Sequence, residues 1–297
     1  MKTFFRDRQN HEPAEPARKS RKAEKDLTFD RELKRRILGN EPMEALAEEA
    51  EPTDTVPSTP APAAQSSALQ FYDAWEGLQP LGWRFGELAQ ASMPQDGDVK
   101  SATDVLRTQI LQKMRAEGWT RLAITAPTTG CGATFITLNL ALSLSAVRDA
   151  RTVLLDLNQR APGIAPALGL RNAPPISLML DGKLSAPEYL RRAEPNLAVG
   201  LNGGTPENPA ETLQSRSAAM ALDEIGYTLA PDVVLCDVPP MLEYDDMTAF
   251  LPLVDCVLLV ADGTKTLSAQ VDACAQMLDG KAPLLGVVLN RGRVPRR

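Results

Sequence analysis

Histidine, paired cysteines and long apolar runs are what this sequence lacks. Its 297 residues include one histidine, His11, and four cysteines, Cys131, Cys236, Cys256 and Cys274, none in a Cys-x-x-Cys pair. No zinc site is therefore expected. Three of the four cysteines lie in or beside apolar runs, which is the setting of buried, unpaired thiols. The first twenty residues have no apolar core of the kind a secretory leader needs. The longest apolar run, Cys256 to Ala261, is far below the ~20 residues of a membrane-crossing helix. The chain is expected in the cytoplasm, with any association at the inner membrane coming through a partner. The net charge is −6, so no overall basic field draws in nucleic acid.

What is present is unevenly spread. Residues 1 to about 40 are charged and mostly basic, residues 41–54 turn acidic, and residues 52–67 form a Pro/Ala/Ser/Thr stretch that cannot build a core. Residues 1–68 are accordingly expected to be a disordered tail and linker. Within them Phe29–Leu38 carries Phe29, Leu33 and Ile37 at helical spacing, as a transient helix or as a docking segment. Residues 69–99 open with an aromatic-rich patch holding Phe71, Tyr72, Trp75, Trp83 and Phe85. It is expected to strap onto the following domain as an extra edge, the alternative being a partner-binding segment. Residues 293–297 are a basic end, expected to be solvated.

Residues 100–292 have a different texture. Short, partly β-branched apolar runs at Leu122–Thr125, Val153–Leu157, Leu197–Leu201, Val233–Asp237, Val257–Ala261 and Leu285–Asn290 read as buried strands. Helical stretches at Ser101–Glu117, Thr134–Val147, Pro209–Leu229 and Leu267–Leu278 separate them. Alternation of this kind predicts an α/β domain, a doubly wound, mostly parallel sheet with helices on both faces. Ligands of such sheets bind beyond the carboxyl ends of the strands.

The residues that carry chemistry fall at those ends. The first strand runs into Pro127-Thr128-Thr129-Gly130-Cys131-Gly132-Ala133-Thr134 and then an apolar helix. Strand, glycine loop and helix together make a phosphate cradle, in which backbone N–H groups converge on oxygens and the helix N-terminus adds positive potential. Such loops end Gly-Lys-[Ser/Thr], the lysine reaching the phosphates and the hydroxyl Mg²⁺. Here Thr134 keeps the hydroxyl and Ala133 stands where the lysine belongs. The second strand ends at Asp156-Leu157-Asn158 and the fourth at Asp237-Val238-Pro239-Pro240, each placing a carboxylate beside the loop, where Mg²⁺ would sit.

Taken in this order, the pieces resemble the bacterial tyrosine kinases of polysaccharide synthesis (BY-kinases), relatives of the MinD/ParA ATPases. Pro209-Ala210-Glu211-Thr212-Leu213 and Gly286-Val287-Val288-Leu289-Asn290-Arg291 add to the resemblance, which covers roughly residues 100–291. It implies ATP or ADP with Mg²⁺ as ligands. Gly130, Cys131, Gly132, Ala133 and Thr134 would form the phosphate cradle and Asn290 would sit near the adenine. Thr134, Asp156 and Asp237 would be the metal site, the two aspartates being the catalytic positions.

Four departures cut against activity. An ammonium on phosphate contributes on the order of 1.5–3 kcal/mol, so Ala133 should weaken nucleotide binding by about 10- to 100-fold. Thr128 stands where MinD/ParA relatives carry a second lysine. Asn158 replaces the second carboxylate of the family's Asp-x-Asp and cannot act as a base. The chain has no terminal tyrosine cluster, and of the family's Glu-x-x-Arg-x-x-Arg assembly motif only Arg107 survives in Ser101–Arg107, so assembly through that stretch is not expected. These losses point to a pseudokinase, with Asp156 and Asp237 vestigial. It would act with a membrane chain-length regulator or an active kinase of capsule or exopolysaccharide synthesis. The alternative is a weakly active ATP-dependent tyrosine kinase or ATPase that borrows a cation such as Arg160. A partitioning ATPase ranks below both.

Overall fold

The structure, a computed structural model, describes residues 2–4, 74–82, 85–87 and 97–292. The expectations for Phe29–Leu38, Phe71, Tyr72, Trp83, the basic end 293–297 and most of the tail lie outside these residues.

Six strands run parallel: β2 (Arg121–Thr125), β3 (Thr152–Asp156), β5 (Leu197–Gly200), β6 (Val233–Asp237), β7 (Cys256–Asp262) and β8 (Leu284–Asn290). They match the six apolar runs to within a residue at each end. Two antiparallel strands complete the sheet, β1 (Lys2–Phe4) against β8 and β4 (Arg191–Glu194) against β5. The order is β1-β8-β7-β2-β6-β3-β5-β4.

Side chains alternate cleanly across this sheet, as a pleat requires. Leu122, Ile124, Leu154, Leu235 and Leu258 face one core layer; Ala123, Val153, Leu155, Cys236 and Leu259 face the other. On the first face lie α1 (Gly97–Glu117), burying Leu106, Ile110 and Met114 at helical spacing, and α2 (Ala133–Ser145). On the second lie α7 (Arg216–Leu229) and α9 (Ser268–Leu278). All four cysteines are free and buried.

Three expectations need correction. Lys2–Phe4 falls inside the stretch expected to be a disordered tail, yet it pairs with Val287–Leu289. The open edge of β8 offers a row of backbone partners that any extended segment can take. The single helix expected at Pro209–Leu229 is two, α6 (Pro209–Gln214) and α7, because Ser215 is extended and its hydroxyl accepts from Ala218 N–H at 3.0 Å. That cap satisfies an orphan donor and starts a new helix. Between β3 and β6 come short helices that the sequence reading did not place: α3 (Ile164–Ala167), α4 (Ser177–Leu180) and α5 (Ala186–Tyr189). A further one, α8 (Asp246–Phe250), follows β6. Among the described residues no helix is long and apolar enough to cross a membrane.

The aromatic segment lies along the far edge. Gln79 and Leu81 exchange backbone hydrogen bonds with Arg192 of β4, at 2.8 and 2.9 Å. Trp75 is 1% exposed, donates its indole N–H to Pro195 O at 2.9 Å and packs under the Arg151 guanidinium. Phe85 is fully buried on the opposite face. Trp75→Ala should therefore destabilise the domain by about 3–5 kcal/mol, the usual loss for a buried Trp. Urea unfolding checks this, and a loss below about 1 kcal/mol would mean that the segment is dispensable to the core.

Candidate functional site

β2 sits where the winding reverses: β6, β3 and β5 lie on one side, β7 and β8 on the other. A crevice opens at such a switch point. It is filled here by the loop Ala126–Gly132, which joins β2 to α2. Gly132 (φ 93°) and Gly130 (φ 78°) adopt left-handed backbone that an L side chain resists. A Cβ on Gly132 would also lie 2.2 Å from Asn290 Nδ2. Gly132 caps α2 without a side-chain bond, so the first-turn N–H groups of α2 stay open for an anion.

The carbonyl side of the loop is tied down by residues from the ends of other strands. Asn290 Nδ2 donates to Cys131 O at 2.9 Å, Arg291 Nη1 to Gly130 O at 3.1 Å and Lys265 Nζ to Thr129 O at 3.0 Å. Arg291 is itself paired at 2.7 Å with buried Asp262. Hydrogen bonds from the Thr264 hydroxyl and N–H, then Arg291, hold that carboxyl down at about 2. On the other flank Met241 and Leu242 N–H bond Ala126 O and Pro127 O at 2.9 and 3.1 Å, so the chain after β6 runs beside the loop.

Two carboxylates stand side by side, because the parallel register of β3 and β6 pairs Asp156 with Asp237. Asp237 accepts from Thr134 Oγ1 at 2.6 Å and Thr137 Oγ1 at 3.3 Å. Asp156 accepts from the N–H groups of Gly163, Ile164 and Asn158 at 3.1, 3.0 and 3.3 Å. Burial, then the Asp237 charge, push the Asp156 carboxyl well up. Burial also raises Asp237, against the pull of its two hydroxyl donors.

A cavity of about 380 Å³ opens over the loop. Of the residues that the sequence singled out, Gly130, Cys131, Gly132, Ala133, Thr134 and Asp237 line it. Asp156 and Asn290 are not in its wall: Asp156 accepts from the N–H groups at the start of α3, while Asn290 braces the loop. Asn158 does line it, its Oδ1 held by Ala161 N–H at 3.2 Å. Arg160 lines it too, with Nε 3.0 Å from Asp246, Nη2 3.6 Å from Asp245 and its guanidinium 4.9 Å from the Tyr244 ring centroid.

Sequence reasoning missed Glu243, Tyr244 and Lys265, and gave Arg291 no role beyond closing the Gly286–Arg291 motif. Arg291 had one signal, its place directly after Asn290; the others had none. The fit to Mg·nucleotide is partial. The backbone cradle, the Thr134 hydroxyl and Asp237 are in place, whereas the ammonium and the second free carboxylate are not. Among the described residues no group of three or more His, Cys, Asp or Glu is placed to hold a metal ion.

Both raised carboxyls favour the protonated form in the fold. Their stabilising contribution is therefore full below the ordinary value of about 4 and is lost as pH rises through the raised values. Asp237→Asn stays neutral, so its unfolding midpoint should gain on that of the natural protein between about pH 4 and pH 7. A difference independent of pH would mean that the pair ionises without penalty.

No protein-family model matches the chain. The tyrosine-protein kinase YwqD of Bacillus subtilis is 30% identical over 171 residues, covering 56% of this chain and 70% of YwqD. The putative tyrosine-protein kinase EpsB of Ralstonia nicotianae is 26% identical over 200 residues, or 67% of this chain, and the chain spans 26% of EpsB's length. Among solved structures, the kinase domain of the Escherichia coli tyrosine kinase ETK is similar with a TM-score of 0.59 at 25% identity, over 66% of this chain and 76% of that domain. The VpsO kinase domain gives 0.57 at 27% identity, over 65% of this chain and 95% of that one.

Proposed function

We propose that this chain, which belongs to the bacterial tyrosine-kinase family, is a pseudokinase: a kinase-fold module that serves polysaccharide synthesis through its partners and not through phosphoryl transfer. The observation that carries this reading is Ala133 at the first position of α2, in a cavity whose two lining cations are already taken by the chain's own carboxylates. Arg160 pairs with Asp246 and Asp245, and Arg291 with Asp262. Neither presents an unopposed charge to a phosphate.

The chemistry beyond phosphate binding is depleted as well. A tyrosine hydroxyl needs a base within hydrogen-bond reach. Asn158, at the cavity wall, cannot ionise. Asp156 is outside the wall, with its oxygens committed to three backbone donors. If nucleotide enters, the N–H groups of the loop and of the first turn of α2 would hold its phosphates, and Thr134 with Asp237 would hold Mg²⁺. When bound, that ion supplies charge neutralisation on the phosphates. Partners fitting this reading are a membrane chain-length regulator, which would bring the chain to the inner membrane, or an active kinase of the same family.

A second reading, a weakly active kinase or ATPase, draws on the Thr134–Asp237 pair, which is intact at the cavity wall. Turnover separates the two. With radiolabelled Mg·ATP, the natural protein should release or transfer no more phosphate than its Asp237→Ala variant. An Ala133→Lys/Asn158→Asp double variant, which restores both charges, should exceed it. Turnover by the natural protein at least tenfold above the Asp237→Ala control would establish the second reading.

A further inference from the structure

The struts on the carbonyl side of the loop have a counterpart on its amide side. Thr129 N–H, at the tip, donates to Glu243 Oε1 at 2.8 Å, and the Thr129 hydroxyl donates to Glu243 Oε2. Both oxygens of one carboxylate are thus engaged by one residue of the loop, through a backbone N–H and a hydroxyl. These are the two donor types with which such loops hold phosphate oxygens. Glu243 comes from outside the loop, 114 residues along the chain. It is carried there by the segment after β6, whose Met241 and Leu242 N–H groups bond the carbonyls of Ala126 and Pro127.

We propose that Glu243 is a built-in anion: it takes the donors at the tip of the phosphate loop, and an incoming phosphate must displace it. The inference deepens the pseudokinase reading and rests on the same cradle. The contact lies at the solvent edge, so it contributes little to folding. Its weight is in competition, because a phosphate meets both an occupied donor pair and a like charge a few ångströms away.

Displacement would not stop at Glu243. The next three residues hold the cavity's Arg160: Tyr244 stacks on it, and Asp245 and Asp246 pair with it. Withdrawal of Glu243 strains these contacts, so an anion at the loop and the release of Arg160 toward the cavity are linked through five consecutive residues, 242–246. Leu242 and Tyr244 are each 37% exposed, which places the moving segment on the outer surface, where a partner can sense whether the loop holds an anion.

The test needs a protein in which nucleotide binding is measurable, so it is made in the Ala133→Lys background of the full chain. Calorimetric titration with Mg·ADP compares Ala133→Lys alone with Ala133→Lys/Glu243→Gln and Ala133→Lys/Glu243→Ala. Loss of the competing charge should tighten binding by about tenfold in both double variants. Hydrogen exchange in the natural background should show faster exchange at residues 126–134 in Glu243→Ala. Affinities equal within about twofold, or no binding in any variant, overturn the proposal. The exchange data then separate the two claims. Mg·ADP protection of 126–134 without an affinity difference keeps the cradle and removes the role of Glu243, whereas no protection in any variant removes the cradle as well.

Discussion

A phosphate loop is a backbone with an excess of converging groups, and it has to be held whether or not an anion fills it. In this chain the holding falls to side chains from three neighbouring strand ends. Lys265 and Arg291 take the carbonyls of Thr129 and Gly130, Asn290 takes that of Cys131, and Glu243 takes the amide of Thr129. The Asn290–Cys131 contact is partly buried and the other three lie at the solvent edge, and left-handed turns at two glycines cannot hold themselves. The rest of the site follows from this constraint. The loop is pinned on both sides by contacts that do not need a nucleotide, and the absence of a lysine at position 133 leaves those contacts unopposed.

The paired carboxylates show the same economy of charge. Asp156 and Asp237 are neighbours across β3 and β6, and among the described residues neither is ion-paired. Each is stabilised instead by neutral donors, backbone N–H groups for Asp156 and two threonine hydroxyls for Asp237. Burial and mutual repulsion make them reluctant anions, a condition a divalent ion would relieve. Of a metal–phosphate arrangement the site holds Asp156, Asp237 and the Thr134 hydroxyl, with Ala133 at the position of the family's lysine and Asn158 at that of a further carboxylate. Of the basic groups at the site, Arg160 and Arg291 are paired with carboxylates of the same chain and Lys265 is held by the Thr129 carbonyl.

Much of this was legible in the sequence, for reasons that can be named. The six parallel strands are buried on both faces, so each appears as an apolar run with turn residues around it. The cradle was legible because Gly130 and Gly132 sit between such a run and an apolar helix. β4 was not: Arg191-Arg192-Ala193-Glu194 lies at the end of the sheet order, is mostly half-buried and carries no apolar pattern. Nor was the break at Ser215, where a capping hydroxyl interrupts a stretch whose composition is helical throughout. The contacts of Glu243 and Lys265 with the loop join residues 114 and 136 positions apart. No local periodicity encodes such meetings; they follow from the strand order. Asp156 and Asn290 were legible as residues near the site. Their places outside the cavity wall go with local hydrogen bonds to α3 and to Cys131.

Thermal unfolding of the natural chain with and without millimolar Mg·ADP tests most directly whether this loop is complete in itself. A micromolar ligand at a thousandfold excess over its Kd would add about 4 kcal/mol, a rise on the order of 10 °C for a domain of this size. A self-contained loop without its lysine should give a rise below about 2 °C, on the same scale. A rise of the larger size would contradict the account, showing that the backbone cradle recruits nucleotide without the ammonium and that Glu243, Arg160 and Arg291 yield to it readily.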